Sequence, residues 1–295
     1  MARQLIAIAK LFAGISLSFI ILKNTLLAMK ALLYIVLIGF LLTGCKSQQK
    51  EEETTNSNKN TAELAKVAPT KIQVDNILID AIGHASSIIE YDQKVIYIDP
   101  SGGANLYTDK KPADIVLITD IHGDHMNIET LNNLDIAKAK IVVPQAVAEK
   151  LPAYYTEQLI IINNGETKEI QGVPIEAIPM YNLREEALKF HPKGRGNGYV
   201  VTLGSKRLYF SGDTEDISEM RALKAIDIAF VTMNLPYTMT VENAADAVLA
   251  FKPKQVYPYH YRSTKGLSDV VKFKELVAKD PTIEVVLLDW YPTID

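Results

Sequence analysis

The chain is predicted to fold as an α/β protein with two sheets packed together and helices outside both, and three observations carry this reading. Short apolar runs bounded by Gly, Pro, Asn and Asp alternate with segments of helical spacing over most of the sequence. The alternation occurs in two similar halves, and a pair of sheets covered by helices is the simplest packing for such a string. The third observation is a change of character within residues 117–127, LITDIHGDHMN, where an apolar run ends abruptly in Asp120, His122, Asp124 and His125. Open α/β sheets place their sites beyond the carboxyl ends of strands, which is where this cluster falls.

Taken in order, residues 72–79 read as a strand, and residues 86–91 and 94–98 as a hairpin across Asp92 and Gln93. The apolar run before the polar cluster is a buried strand, and Ile128, Leu131 and Leu134 recur after it at helical spacing. Residues 140–143 form the next strand, and Pro144 opens a short helix to residue 151, since proline is tolerated in a first turn. Residues 159–162, 169–170 and 174–178 are further strands separated by glycine-bearing turns. In the second half, residues 198–203 and 206–211 pair over Gly204 and Ser205, and a helix covers 217–224. Then come a strand at 228–233, a helix capped by Thr240 that carries Ala244, Ala247, Val248 and Phe251, a strand at 255–259, a helix at 267–278 and a last strand at 283–288.

At 295 residues, 48% hydrophobic and 22% charged, the chain can bury a full core. Its net charge of -4 leaves no basic footprint for nucleic acid. The single cysteine, Cys45, excludes an internal disulfide framework and a Cys-rich zinc site. Residues 1–45 read as a lipoprotein signal peptide whose true start is Met29: Lys30, an apolar stretch to Leu42, then Leu42-Thr43-Gly44-Cys45, similar to a bacterial lipobox. Cleavage before Cys45 and lipidation of its thiol, with acyl chains such as palmitate, would anchor the protein to a membrane outside the cytoplasm, on the periplasmic side or cell surface. The competing reading of residues 1–45 is a helical hairpin or one long anchor. Residues 46–70 are polar and charged and read as a flexible tether, and residues 71–295 as the folded domain.

Histidines and carboxylates packed this densely after a buried strand cost free energy unless solvated, paired or bound to a cation, so a metal site is the economical reading. The plain alternative is a solvated polar loop. Other strand ends carry compatible groups: Asp213 after LYFSG, His260 after VYPY, and residues 179–182 with His191 a few positions on. Brought to one edge of the two sheets, these would surround one or two cations.

With the full set in view, the chain resembles the metallo-β-lactamase superfamily, a four-layer αββα sandwich of metal-dependent hydrolases, from about residue 79 onward. Gly83-His84-Ala85-Ser86 followed by Ile98-Asp99-Pro100 is similar to the branch of ascorbate-phosphate lactonase and the phospholipase D that cleaves N-acyl-phosphatidylethanolamine. The superfamily motif H-x-H-x-D-H reads D-x-H-x-D-H here, with Asp120 replacing the first histidine. The resemblance implies metal ligands Asp120, His122, Asp124, His125, Asn182, Asp213 and His260, with His191 as the alternative to Asn182 and His84 as a neighbouring group. One half of that set is intact (Asp124, His125, His260 and the bridging Asp213), whereas the other keeps only His122. Oxygen ligands are harder than imidazole, so one firmly held zinc with a weaker second ion is expected, manganese or iron being admissible in the weaker half.

The implied reaction is hydrolysis of an ester-type bond, a phosphodiester, lactone or related group in a small-molecule or lipid-like substrate, by hydroxide generated on the metal. Asp124 and Asp213 are the implied catalytic carboxylates. Arg184, Lys193, Arg195 and Arg262 are candidates to receive a phosphate or carboxylate, and Tyr181, Tyr237, Tyr259 and Tyr261 to line a pocket. The competing function is a lipid-anchored binding or scaffold protein that keeps the fold and has lost turnover.

Overall fold

The structure is a computed structural model and describes residues 68–292. The predicted signal peptide, Cys45 and most of the tether lie outside the described residues. Sixteen strands form two seven-stranded sheets and a small ribbon. The first sheet runs in chain order: β1 (Lys71–Val74), β2 (Ile77–Gly83), β3 (Ser86–Tyr91), β4 (Lys94–Ile98), β5 (Ile115–Leu117), β6 (Lys140–Val143) and β7 (Leu159–Ile161). The second contains β8 (Thr167–Ile170), β9 (Val173–Met180), β10 (Gly196–Leu203), β11 (Lys206–Phe210), β12 (Ile228–Thr232) and β13 (Gln255–Tyr259). After the ribbon of β14 (Arg262–Ser263) and β15 (Gly266–Leu267), β16 (Glu284–Val285) completes that sheet at its β13 edge.

Both sheets share one plan. Each opens as an antiparallel meander, β1 to β4 and β8 to β11, and continues as parallel strands, β4 to β7 and β11 through β12 and β13 to β16. Parallel strands need crossovers, and the connections supply α1 (Ile128–Asn132), α2 (Gln145–Ala148), α3 (Ser218–Arg221), α4 (Val241–Phe251) and α5 (Val270–Val277). Side-chain alternation shows where the layers lie. Ile115 and Leu117 of β5 join the large core with Phe210, Phe230 and Tyr257 of the second sheet, while Val116 between them joins a second core with Leu131 of α1 and Val147 of α2. Each sheet is therefore buried on both faces where it is parallel, as an αββα sandwich requires. Phe210 and Phe230 stack at 4.5 Å in the shared core, and burial of each such side chain stabilises the fold by roughly 1.5–3 kcal/mol.

Several boundaries differ from expectation. The single strand expected at 72–79 is a hairpin, β1 and β2, reversed at Asp75, whose φ of 51° places it in the left-handed region that aspartate tolerates. The helices expected at 217–224 and 267–278 shorten to α3 and α5, and the last strand contracts to β16. Thr240 does cap α4, its side chain accepting from the Asn243 N–H, and Ala244, Ala247, Val248 and Phe251 are buried as their spacing indicates. Among the described residues no helix is long and apolar enough to cross a membrane.

Candidate metal centre

The parallel strands of both sheets end along one edge, and their following residues converge there. Behind β4 comes Asp99, fully buried, which accepts hydrogen bonds from the Thr119 N–H and hydroxyl, both at 2.7 Å. Its second oxygen also lies 2.8 Å from His125 Nδ1. A carboxylate at Nδ1 fixes the proton there and leaves Nε2 bare. His125 is brought into place by the turn after β5, where its N–H and that of Met126 both donate to the His122 carbonyl.

From the second sheet, Asp213 follows β11 through Ser211 and Gly212. Gly212 has φ 60°, and a Cβ there would stand 2.4 Å from Met180 Sδ and 3.2 Å from the Asn197 carbonyl oxygen, so backbone and space together favour glycine. His260 follows β13 with φ 48°, an uncommon backbone for a non-glycine residue, and its N–H donates to the carbonyl of His84, itself at φ 55°. Two histidines held in the left-handed region at adjoining strand ends mark a position whose geometry the surrounding structure imposes. The Asn234 amide lies 2.8 Å from His260 Nδ1 and the Tyr291 hydroxyl 2.9 Å from His84 Nδ1, so both rings are backed by a polar group.

The chain has five histidines, and all five meet here. Within each of three groups the ligand atoms lie within 4.8 Å of one another: His84, Asp124 and His260; His125, Asp213 and His260, which shares His260 with the first; and Asp120, His122 and His191. Asp213 stands at the junction. Its oxygens lie 3.4 Å from His125 Nε2, 3.4 Å from His260 Nε2 and 3.0 Å from His191 Nε2. Burial alone would raise its pKa, but His260, His125 and His191 hold it well below the ordinary carboxylate range. His125 shows the converse: burial would lower it, and Asp213, Asp99 and Asp124 push it well above its usual value.

Four buried atoms pointing inward lack any hydrogen-bond partner: His125 Nε2, His191 Nε2, His260 Nε2 and Asp213 Oδ1. Orphaned buried acceptors are costly, and a divalent cation satisfies imidazole nitrogens and carboxylates together. The residues therefore fit a metal on the side of Asp124, His125, Asp213 and His260.

Several residues expected at the site have other placements. Asn182 donates its amide N–H groups to the Ala187 and Tyr237 carbonyls and lies 3.2 Å from His191 Nδ1, its buried Oδ1 has no hydrogen-bond partner, and His191 is the residue grouped with Asp120 and His122. His191 takes the inward position because its Nδ1 also faces the Tyr237 carbonyl at 3.2 Å, which leaves Nε2 bare. Arg184 is a brace, with Nε on Glu215 at 2.7 Å and Nη2 on the Pro236 and Thr238 carbonyls. Lys193 bridges Glu219 and the Tyr181 hydroxyl, so both of those expected substrate contacts are turned to a surface pair. Arg262 lies over the Tyr291 ring at 4.3 Å. Tyr259 and Tyr261 are core residues. Tyr237 does line the cavity over the centre, about 310 Å³, with His122, Asp124, Phe190, His191, Asp213 and Asn234. Arg195 reaches inward to Asp120.

Sequence reasoning did not assign roles to Asp99, Thr119, Asn234 or Tyr291. Asp99 had a signal, a carboxylate directly after an apolar strand, whereas Asn234 and Tyr291 are polar residues in loops with no pattern to single them out.

Comparison with known proteins agrees with the geometry. The family described as the beta-lactamase superfamily domain matches residues 78–260. The UPF0173 metal-dependent hydrolase of Pyrococcus horikoshii is 32% identical over 223 residues, covering 72% of this chain and 96% of that protein. That of Thermococcus kodakarensis is 32% identical over 225 residues, covering 72% and 96%. Among solved structures, a protein from Parabacteroides distasonis, assigned as a candidate metal-dependent hydrolase, is 36% identical with a TM-score of 0.67, covering 75% of this chain and 98% of its own. Igni18, a metallo hydrolase of Ignicoccus hospitalis, shares the fold at 23% identity and a TM-score of 0.61, covering 72% and 95%. The chain belongs to the metallo-β-lactamase superfamily and, within it, to the UPF0173 family of metal-dependent hydrolases.

Proposed function

We propose that this hydrolase cleaves an ester-type bond, a phosphodiester, lactone or related group, in a substrate with an apolar portion, using zinc held by Asp124, His125, Asp213 and His260. The observation that carries the reading is the set of buried, partnerless ligand atoms around Asp213. When bound, a zinc ion supplies Lewis acidity and a water acidified to a pKa of about 7. The chain's own residues do the rest. Asp124, with its side chain 42% exposed and on the cavity wall, is held far below the usual carboxylate range: burial would raise it, but His125, His260 and His84 outweigh that. It stays ionised and accepts a hydrogen bond from the attacking water rather than keeping its proton. His84 Nε2, 3.2 Å from Asp124 Oδ2, directs its N–H at that carboxylate and holds it in position, and burial chiefly lowers the imidazole pKa, which keeps the ring neutral.

The cavity supports the substrate class. Phe190 and Tyr237 meet edge to face at 5.0 Å on its wall, and the segments that carry them also expose Leu183, Leu188 and Leu235. A rim of this kind suits an acyl or other apolar group beside the scissile bond. The resemblance of the Gly83-His84-Ala85-Ser86 opening to lactonase and phospholipase D sequences points the same way. A panel of phosphodiesters, lactones and esters with short and long acyl chains, assayed with zinc and after chelation, tests it. Zinc-dependent turnover that rises with acyl length is expected; a protein that binds zinc yet cleaves none of the panel would favour the binding or scaffold reading. Lipid anchoring at Cys45 and residence outside the cytoplasm are proposed from the lipobox alone. Labelled palmitate should enter the native chain and not Cys45→Ser.

A further inference from the structure

Asp120 and Arg195 form a pair that the metal reading leaves unexplained. Asp120 is fully buried, and both of its oxygens are taken by one guanidinium: Arg195 Nε lies 3.0 Å from Oδ1 and Nη2 2.7 Å from Oδ2. The same Nη2 donates to the Phe190 carbonyl and stands 3.4 Å from His122 Nε2. His122 Nδ1 in turn is 2.9 Å from Asp120 Oδ2. The guanidinium is thus fixed among the residues that would hold a first metal ion, its side chain only 17% exposed.

The backbone fixes it there as well. Asn197, two residues after Arg195, donates its N–H to the carbonyl of Thr119, the residue before Asp120. A Cβ on Gly196 between them would stand 2.8 Å from that same carbonyl. The start of β10 is therefore seated against the segment that follows β5, and a backbone contact between the two sheets sets Arg195 opposite Asp120.

We propose that Arg195 is a built-in cation in place of the first metal, so that the centre takes one divalent ion, in the half formed by Asp124, His125, Asp213 and His260. Charge supports this. Three carboxylates face the centre, Asp120, Asp124 and Asp213, and one guanidinium with one divalent ion balances them. A second divalent ion would stand directly beside the guanidinium, and the one carboxylate on that side, Asp120, is already bound to it. With Arg195 in place both oxygens of Asp120 are taken, and in the group of Asp120, His122 and His191 the His191 Nε2 is the one buried ligand atom left without a partner, too few to hold a second metal.

This proposal rests on the metal-dependent reading above, and the two fail differently. Full-length protein is dialysed against zinc and its metal content measured, with a cobalt titration followed by visible absorption as a second readout. The native chain should saturate at one ion and Arg195→Lys, which keeps the charge, likewise. Arg195→Met, which frees Asp120, should take two. The double variant Asp120→Asn with Arg195→Met removes the pair without leaving a lone charge and should return to one ion of unchanged affinity. Two ions in the native chain, one in Arg195→Met, or loss of the ion from the double variant would each overturn the role given to Arg195. No ion at all in the native chain would instead overturn the metal-dependent reading. If Arg195→Met does not fold, the native and double-variant stoichiometries still decide.

Discussion

The two halves of the centre share the segment after β5 and meet different fates. On one side His125 and His260 each present a bare nitrogen to Asp213, each backed by a buried polar partner, Asp99 or Asn234. On the other, Asp120 stands where the superfamily has histidine, and a guanidinium already satisfies it. Ligand atoms lie close together in both halves, so proximity alone does not define a metal site. What separates them is the carboxylate: Asp213 keeps a buried oxygen without a partner, whereas both oxygens of Asp120 are held by Arg195 and, in its group with His122 and His191, only His191 Nε2 is left bare.

The sharpest way to break the comparison is to remove a ligand from the first-named side. Asp213→Asn or His260→Ala should abolish tight metal binding and reduce hydrolysis well beyond the roughly 10–100-fold that outer partners command, as read by metal analysis and by turnover of any substrate the panel identifies. Next comes the residue behind the ligand. Asp99→Asn keeps the shape and loses the charge that fixes the His125 tautomer, and should cost about 10–100-fold in metal affinity by competition with a chelator.

On the Asp120 side the expected losses are of stability instead. Asp120→Asn leaves the Arg195 guanidinium without its carboxylate in a largely buried place, and urea unfolding should show a loss of about 2–4 kcal/mol with metal affinity little changed. Asn182→Ala removes two hydrogen bonds behind His191 and should cost about 1–2 kcal/mol, again with the ion retained. The smallest effect is at the rim. Burial would raise Glu219, but Lys193 and Ser218 draw it down to about 2. Its contribution is then present above the ordinary carboxylate pKa and fades as pH falls through about 2. Because Lys193 is exposed, Glu219→Gln should lose no more than ~1 kcal/mol at neutral pH.

The residues that were legible in the sequence share a cause. His122, Asp124, His125, Asp213 and His260 stand in the segments that follow β5, β11 and β13, and these parallel strands end along a common edge. His191 and Asn182 were not separable, since both lie in one loop, and only the fold shows that the Tyr237 carbonyl orients the histidine. The partner of Arg195 was illegible for a plainer reason: it lies 75 residues away, and a cationic loop rich in glycine reads equally as a surface or an anion receptor. The fold class followed from alternation along the chain, whereas helix lengths did not: α5 starts three residues later than its spacing indicates because Leu267 belongs to β15 and Asp269 caps the helix.

Anomalous diffraction at the zinc absorption edge, from crystals grown with excess zinc, addresses the centre most directly. The account predicts a single strong peak among Asp124, His125, Asp213 and His260, with Arg195 still on Asp120. A second peak of equal height among Asp120, His122 and His191, or none at either place, would contradict it.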